Sequence, residues 1–434
     1  MKHKKLFISL TAVLAVLVFF GIFLLTWFVG DDYPGFKKFT KEFAIEGLDD
    51  GAIPQGLTAY YGQYKAGTDE NGKDINKYQQ YFLTSAYMKD GSPSRIYVTG
   101  TVTGYMGYVT MLNTDGTPHM GHVGGIATNA STLWVTYGDS ILVAKASSKD
   151  YSNILAEIVA KATINSDLGE GEEFQTIQFT ASFKANCRAS YLYYYHDPRY
   201  SNESYDRLYV GEFYRKGNYE TAASHRLETP NGYKNTSFMY DYRADSTSGN
   251  KYGLYLIDSS NNNQNLSENV PKIQKIYSMP EKIQGLAFSG RSTYGTTTGT
   301  MVLSQSYGLS NSHLLCFDWS KVNAKSKKYT ELSGGVSFEY DGVYTVGGGK
   351  KSPYTDSSLY VYYADMNDSD MYLGDYSIPS MSEGMCTVTL SGYNKPTQER
   401  IYVLFESGSK KYNLFTRESI KHVYSFIPKE SELK

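Results

Sequence analysis

From Leu6 to Val29 the chain runs 24 residues without a charge, interrupted chiefly by Ser9, Thr11 and Thr26. At about 1.5 Å per residue this pattern predicts a helix of roughly 36 Å, enough to cross a bilayer with some tilt. Lys2, Lys4 and Lys5 precede the run and Asp31 and Asp32 follow it. Positive residues stay on the cytoplasmic side, so residues 1–30 read as a cytoplasmic tip and a single-pass signal-anchor, with residues 31–434 outside the cell. The competing reading is a cleaved export signal. Such signals have an apolar core of about 7–15 residues ending at small residues. This run is longer and ends in Trp27-Phe28-Val29, which suits an interfacial aromatic anchor better.

Beyond residue 31 the rhythm changes to short apolar stretches separated by glycine-rich and polar turns. A phrase recurs with glycine at its centre: Pro54-Gln55-Gly56-Leu57, Val123-Gly124-Gly125-Ile126, Ile283-Gln284-Gly285-Leu286 and Ser382-Glu383-Gly384-Met385. Cys187-Arg188-Ala189-Ser190 reads as a degenerate copy, with Ala189 in the glycine slot. The slots are spaced 69, 64, 96 and 99 residues apart. More apolar strands follow each phrase: Tyr81–Tyr87, Leu133–Gly138, Arg207–Arg215, Met301–Gly308 and Arg400–Ser407. Third strands are expected at Arg95–Thr99, Ser140–Ala144, Gly253–Ile257 and His313–Phe317. A fourth strand ends near proline before a phrase, as at Lys275–Pro280 and Leu373–Pro379.

Four-stranded antiparallel units repeated radially make a β-propeller, here of about five blades. The last unit lacks an outer strand, and Phe39–Ile45 precedes any inner one. This predicts closure of the ring by the two ends of the chain, which removes an exposed sheet edge. Phe238–Tyr242, and Ser337–Val346 with Leu359–Ala364, read as hairpins inserted between blade strands. Ile154 to Ile164 fits a short helix or a strand. The alternative architecture is an irregular pair of β-sandwiches.

Composition narrows the setting. A net charge of −2 gives no global field for nucleic acid, and no basic stripe with interleaved aromatics appears. Three cysteines, Cys187, Cys316 and Cys386, do not make a disulfide scaffold; three buried thiols are expected. The 42 tyrosines and 40 glycines suit half-buried strands and turns. The Gln-Gly-Leu and Gly-Gly-Ile phrases, with the strands after them, resemble bacterial exported β-propellers of gluconolactonase-like blade style over roughly residues 39–427. That resemblance implies blades without specifying a reaction.

Candidate chemistry follows from the repeat. Inner strands of a propeller converge at the mouth of its axial channel, so the residues preceding the slots predict a ring of Gln55, Gly124, Arg188, Gln284 and Glu383. Such a ring either binds a polar ligand through converging hydrogen bonds or pairs internally and holds water. The following strands add Tyr87, Tyr137, Glu212, Tyr214, Gln305, Tyr307 and Glu406. Glu212 stands out in an apolar strand, and Arg188 is its expected partner. His119 and His122 read as turn or core residues. No zinc-protease, serine-hydrolase or C-x-x-C signature is present, and Gly347–Ser352 lacks the spacing of a phosphate loop. Asp69–Asp74 and Asp365–Asp370 cluster oxygen ligands, but neither completes a calcium loop, so no cofactor or metal is expected.

The reading is therefore a membrane-anchored propeller of the cell envelope that binds a ligand, glycan or envelope protein through Gln55, Arg188, Glu212, Gln284, Gln305 and Glu383. Its alternative is a carbohydrate-active hydrolase using Glu212, Glu383 or Glu406 at the channel. The lactonase-like variant suggested by the blade style requires Glu, Asn and Asp on calcium, a set with no assigned place in the sequence.

Overall fold

The computed structural model describes residues 33–169, 172–196, 202–257, 270–290, 299–338, 345–346, 349–350, 355–392, 395–429 and 433. The apolar run Leu6–Val29 lies outside these. Among the described residues no helix is long and apolar enough to cross a membrane.

Five sheets form five blades. Blade 1 orders Ala52–Thr68, Asp74–Met88, Arg95–Gly100 and Gly104–Leu112 from inner to outer strand. Blade 2 uses Val123–Thr128, Leu133–Tyr137, Ser140–Ala144 and Ala181–Lys184. Blade 3 uses Ala189–Tyr195, Arg207–Glu212, Ser237–Arg243 and Ile273–Met279. Blade 4 uses Ile283–Ser289, Thr300–Gln305, Ser312–Asp318 and Tyr372–Ile378. Blade 5 uses Ser382–Gly392, Lys395–Phe405 and His422–Phe426, and its outer strand is Thr40–Ala44. The inner strands adjoin in a closed ring, blade 1 meeting both blade 2 and blade 5.

The chain ends close the ring as the strand count requires. Thr40 pairs with Ser425 and Ala44 with His422, antiparallel. Phe39 stacks on Phe426 with centroids 4.3 Å apart and an interplanar angle of 5°. Arg400 donates to Thr40 Oγ1 at 2.9 Å, and Ser425 hydrogen-bonds Glu42. Aromatic burial and ladder bonds thus fasten the first strand to the last blade.

Several sequence expectations are corrected here. Phe238–Tyr242 is no insertion: it lies within the third strand of blade 3, paired with Arg207–Glu212 on one side and Ile273–Met279 on the other. The expected third strand at Gly253–Ile257 instead makes only isolated bridges, Ala244 to Leu254 and Leu256 to Pro271. Phe238-Met239-Tyr240 is fully buried, which suits a central strand, whereas Gly253 adopts a left-handed φ of 69° that interrupts a strand. Of the hairpin expected from Ser337–Val346 with Leu359–Ala364, residues 339–344 lie outside the described residues, and Tyr360–Tyr363 pairs elsewhere. It runs parallel to the outer strand of blade 3 and antiparallel to Ser326–Lys328, so that blade has six strands. Blade 1 gains Thr176–Gln178 as a parallel fifth strand.

Ile154–Ser166 is a helix. Asn153 caps it, its side chain accepting from the backbone of Leu155 and Ala156. Ile154, Leu155, Ile158 and Ala162 are buried at helical spacing, and the helix lies against the outer strand of blade 1. Cys187, Cys316 and Cys386 are all buried free thiols, and burial pushes each thiol pKa up.

Candidate functional site

The recurring phrase has a local structural meaning: each inner strand carries a register shift within it. The breaks fall between Pro54 and Gly56, Val123 and Ile126, Ala189 and Tyr191, Ile283 and Gly285, and Ser382 and Met385. A bulge leaves a residue unpaired and re-aims its side chain. Gln55, Gln284 and Glu383 occupy this unpaired position. The slot glycines permit it by close approach. A Cβ on Gly384 would lie 2.7 Å from Leu57 N, one on Gly56 2.6 Å from Ile126 N, and one on Gly285 2.5 Å from Glu383 O.

Blade 3 departs from the sequence alignment. Its unpaired residue is Ser190, so the position equivalent to Gln55 and Gln284 is Ser190 rather than Arg188. Tyr191 then fills the glycine slot. Space for it comes from the opposite strand, where a Cβ on Gly211 would fall 1.9 Å from the Tyr191 ring. Ser190 donates from Oγ to Gln284 Oε1 at 3.0 Å, joining two bulges.

The re-aimed residues line one cavity of about 820 Å³. Gln55, Gly124, Arg188, Gln284 and Glu383 all border it, as do Tyr87, Tyr137, Tyr307 and Glu406. Glu212, Tyr214 and Gln305 do not border this cavity. Gln305 turns away and donates to Glu281 O at 2.9 Å. Glu212 is buried and accepts from His225 Nδ1 at 2.7 Å and Phe238 N at 2.8 Å. The expected Arg188–Glu212 pair is therefore replaced by Glu212–His225, and the Arg188 guanidinium lies 5.2 Å from the Tyr219 ring centroid. Arg188, Glu212 and His225 also border a second cavity of about 450 Å³.

A hydrogen-bonded network runs along the blade 1 and blade 5 side. Gln55 Nε2 donates to Glu406 Oε2 at 3.0 Å and to Pro54 O at 2.9 Å. Its Oε1 is left to accept, and His122 Nε2 sits 2.9 Å away, which assigns the imidazole proton to Nε2. The Tyr87 ring lies 4.0 Å from that imidazole, and Lys411 donates to Tyr87 Oη at 3.0 Å. Glu383 borders the same cavity, and the two carboxyls influence each other's titration.

Two carboxyls in contact cannot both ionise cheaply in a desolvated place. Burial, then the Glu406 charge and hydrogen bond, hold Glu383 well above the ordinary carboxylate range. Burial pushes Glu406 up to about 7, opposed by Lys411 and by the bond from Gln55. The two carboxyls therefore titrate as a coupled pair. His122 stands at the cavity lip; desolvation first, then the Lys411 and Arg188 charges, keep its imidazole below the usual histidine range.

Sequence reasoning missed Ser190, Phe213, Tyr219 and Tyr412, which also line the cavity. Tyr219 and Tyr412 lie outside the named strands, where no period marks them. Ser190 was hidden by the degenerate phrase. The acidic stretches at Asp69–Asp74 and Asp365–Asp370 are turns: Asp69 accepts from Asn71 N and Lys73 N, and Asp365 from Asn367 N. Among the described residues no cluster of His, Cys, Asp and Glu is placed to hold a metal.

The architecture is that of a five-bladed β-propeller with a polar, tyrosine-rich axial cup. No family model matches the chain, and no curated protein matches its sequence. Among solved structures, it is similar to a GH43_1 enzyme from Xanthomonas citri at 10% identity, with a TM-score of 0.32, covering 88% of this chain and 92% of the other.

Proposed function

We propose that this protein is a ligand-binding propeller of the bacterial cell envelope, tethered by its N-terminal apolar run, whose axial cup takes a small polar molecule or the end of a glycan. One observation carries the reading: bulges in separate blades turn Gln55, Ser190, Gln284 and Glu383 toward one cavity walled by tyrosines. Polar groups converging among aromatic faces are the makings of a site that orients a polar ligand.

The hydrolase reading would draw on the same glutamates, which work as a pair of carboxyls in glycoside hydrolysis. Glu406 is engaged by Gln55, Glu383 is held protonated by burial beside Glu406, and Glu212 is engaged by His225 away from the cup. That arrangement favours binding over hydrolysis.

The test is thermal unfolding of the full-length chain in detergent micelles, with cell-wall glycans and short oligosaccharides added. A ligand at about 100 times its Kd stabilises the folded state by roughly 2.7 kcal/mol. The expected result is a shift that Gln284→Ala or Tyr307→Ala removes. A shift indifferent to both variants would place the ligand elsewhere.

A further inference from the structure

We propose, building on the cup reading, that the site selects ligands carrying a primary ammonium group, which docks on the Glu383–Glu406 pair among Tyr87 and Tyr412. Glu383 is 3% exposed, borders the cavity, and has Glu406 as its partner. Neither glutamate makes an ion pair within 4.0 Å among the described residues. Gln55 donates to one oxygen of Glu406, and Glu383 borders the same cavity beside it. What the pair lacks is a cation, and the cavity is where one can arrive.

The surroundings fit an ammonium better than a neutral hydroxyl. Tyrosine faces attract cations through their ring quadrupoles. Lys411 already illustrates this locally, with its Nζ 5.4 Å from the Tyr87 centroid and 4.8 Å from that of Tyr412. Lys411 is exposed at the lip and bonds Tyr87, so it leaves the carboxyls themselves open to a ligand. An anionic group is repelled by the pair and meets Arg188 on the blade 3 side of the cup instead.

Binding has a proton balance. The unliganded pair holds at least one proton, because burial and the neighbouring carboxyl raise both groups. An incoming R–NH3+ supplies the positive charge that the proton supplied, so the pair releases that proton to solvent and stands as two carboxylates against the ammonium. Affinity therefore rises with pH as the pair ionises, until the ligand amine itself deprotonates. The other titratable groups facing the pair are Tyr87, His122, Lys411 and Tyr412, with Arg188 further round the wall. The buffer-dependent heat counts protons from all of these groups, so the glutamine variants of the pair assign the release.

The experiment is calorimetric titration of the full-length chain in detergent, at about pH 6.5, where an amino sugar is still an ammonium, in two buffers of different ionisation enthalpy. The probes are a glucosamine tetramer, its N-acetylated counterpart and cadaverine. Hydrogen bonds to charged groups contribute about 1.5–3 kcal/mol, so the free amine should bind roughly tenfold or more tighter than the acetylated sugar. Its heat should differ between buffers in the sense of proton release. Glu406→Gln and Glu383→Gln, each confirmed folded by thermal unfolding, should abolish both the preference and the release. Cadaverine binding as well as the tetramer would assign the site to amines at large; binding of the tetramer alone would assign it to amino sugars. Equal binding of the acetylated tetramer, still lost in Gln284→Ala, would overturn the ammonium proposal and leave the cup reading standing. No binding by any probe would overturn it too. Glycan shifts that ignore Gln284→Ala would sink the cup reading itself.

Discussion

Glu406 sets the sign of one pH response. Its carboxyl titrates near 4.5 in ordinary surroundings and near about 7 in the fold. Between those values the folded chain keeps a proton that the unfolded chain has released, so stability falls as pH rises through the window. Glu383, raised by the same burial and by its neighbour, acts in the same direction. Melting temperatures measured from about pH 4.5 to 7 should therefore decline less steeply in Glu406→Gln than in the parent. An unchanged slope would mean that other groups dominate. Elsewhere, His225→Ala strips Glu212 of its 2.7 Å partner and leaves Phe238 N as its donor. That change should cost about 1–3 kcal/mol in urea unfolding while leaving binding in the cup unaltered. At this scale the sequence was informative where a repeat marked a position. Gln55, Gln284 and Glu383 could be found because each precedes a recurring glycine. Glu406 emerged as one polar residue in an apolar strand, but nothing in the sequence shows that its carboxyl meets that of Glu383. Glu212 was misjudged because His225 comes from a 3-10 turn at Ala223–His225 that no pattern ties to blade 3.

Among the elements, the bulged inner strand is the device that makes the cup. Glycine at its centre lets neighbouring backbones meet closely. Gly384→Ala would set a methyl 2.7–2.9 Å from Leu57 N, Gly56 Cα and Gln55 O, all backbone atoms that cannot swing aside. The expected cost is about 1–3 kcal/mol, read by chemical denaturation, with weakened binding because Glu383 is re-aimed. Ala189 looked like the fifth slot only because it follows Arg188 in a short phrase. The pairing register instead puts Tyr191 there, and Gly211 on the facing strand provides its room. A substitution compensated across a ladder is invisible to a search along one strand. The same reasoning explains the third strand of blade 3: Phe238–Tyr242 and Gly253–Ile257 are both short apolar runs, and only pairing with both neighbours separates strand from loop.

For the molecule as a whole, closure is the feature that the strand count could foresee. Four blades supply their own outer strand and the fifth borrows Thr40–Ala44. Phe39→Ala removes a ring stacked 4.3 Å from Phe426 and edge-on to Tyr376. A buried aromatic truncated to alanine costs about 3–5 kcal/mol, so the urea midpoint should fall markedly. A small change would show that ladder bonds alone hold the ring. This seam also has a consequence in time. Thr40 and its partner Ser425 are made far apart, and at about 5–20 residues per second the early strand waits roughly 20–80 s for the late one to be synthesised. Through that interval its ladder groups have no native mate, and Phe39 lacks the Phe426 ring. Until the last blade is present, the first strand is an open edge able to pair with other strands.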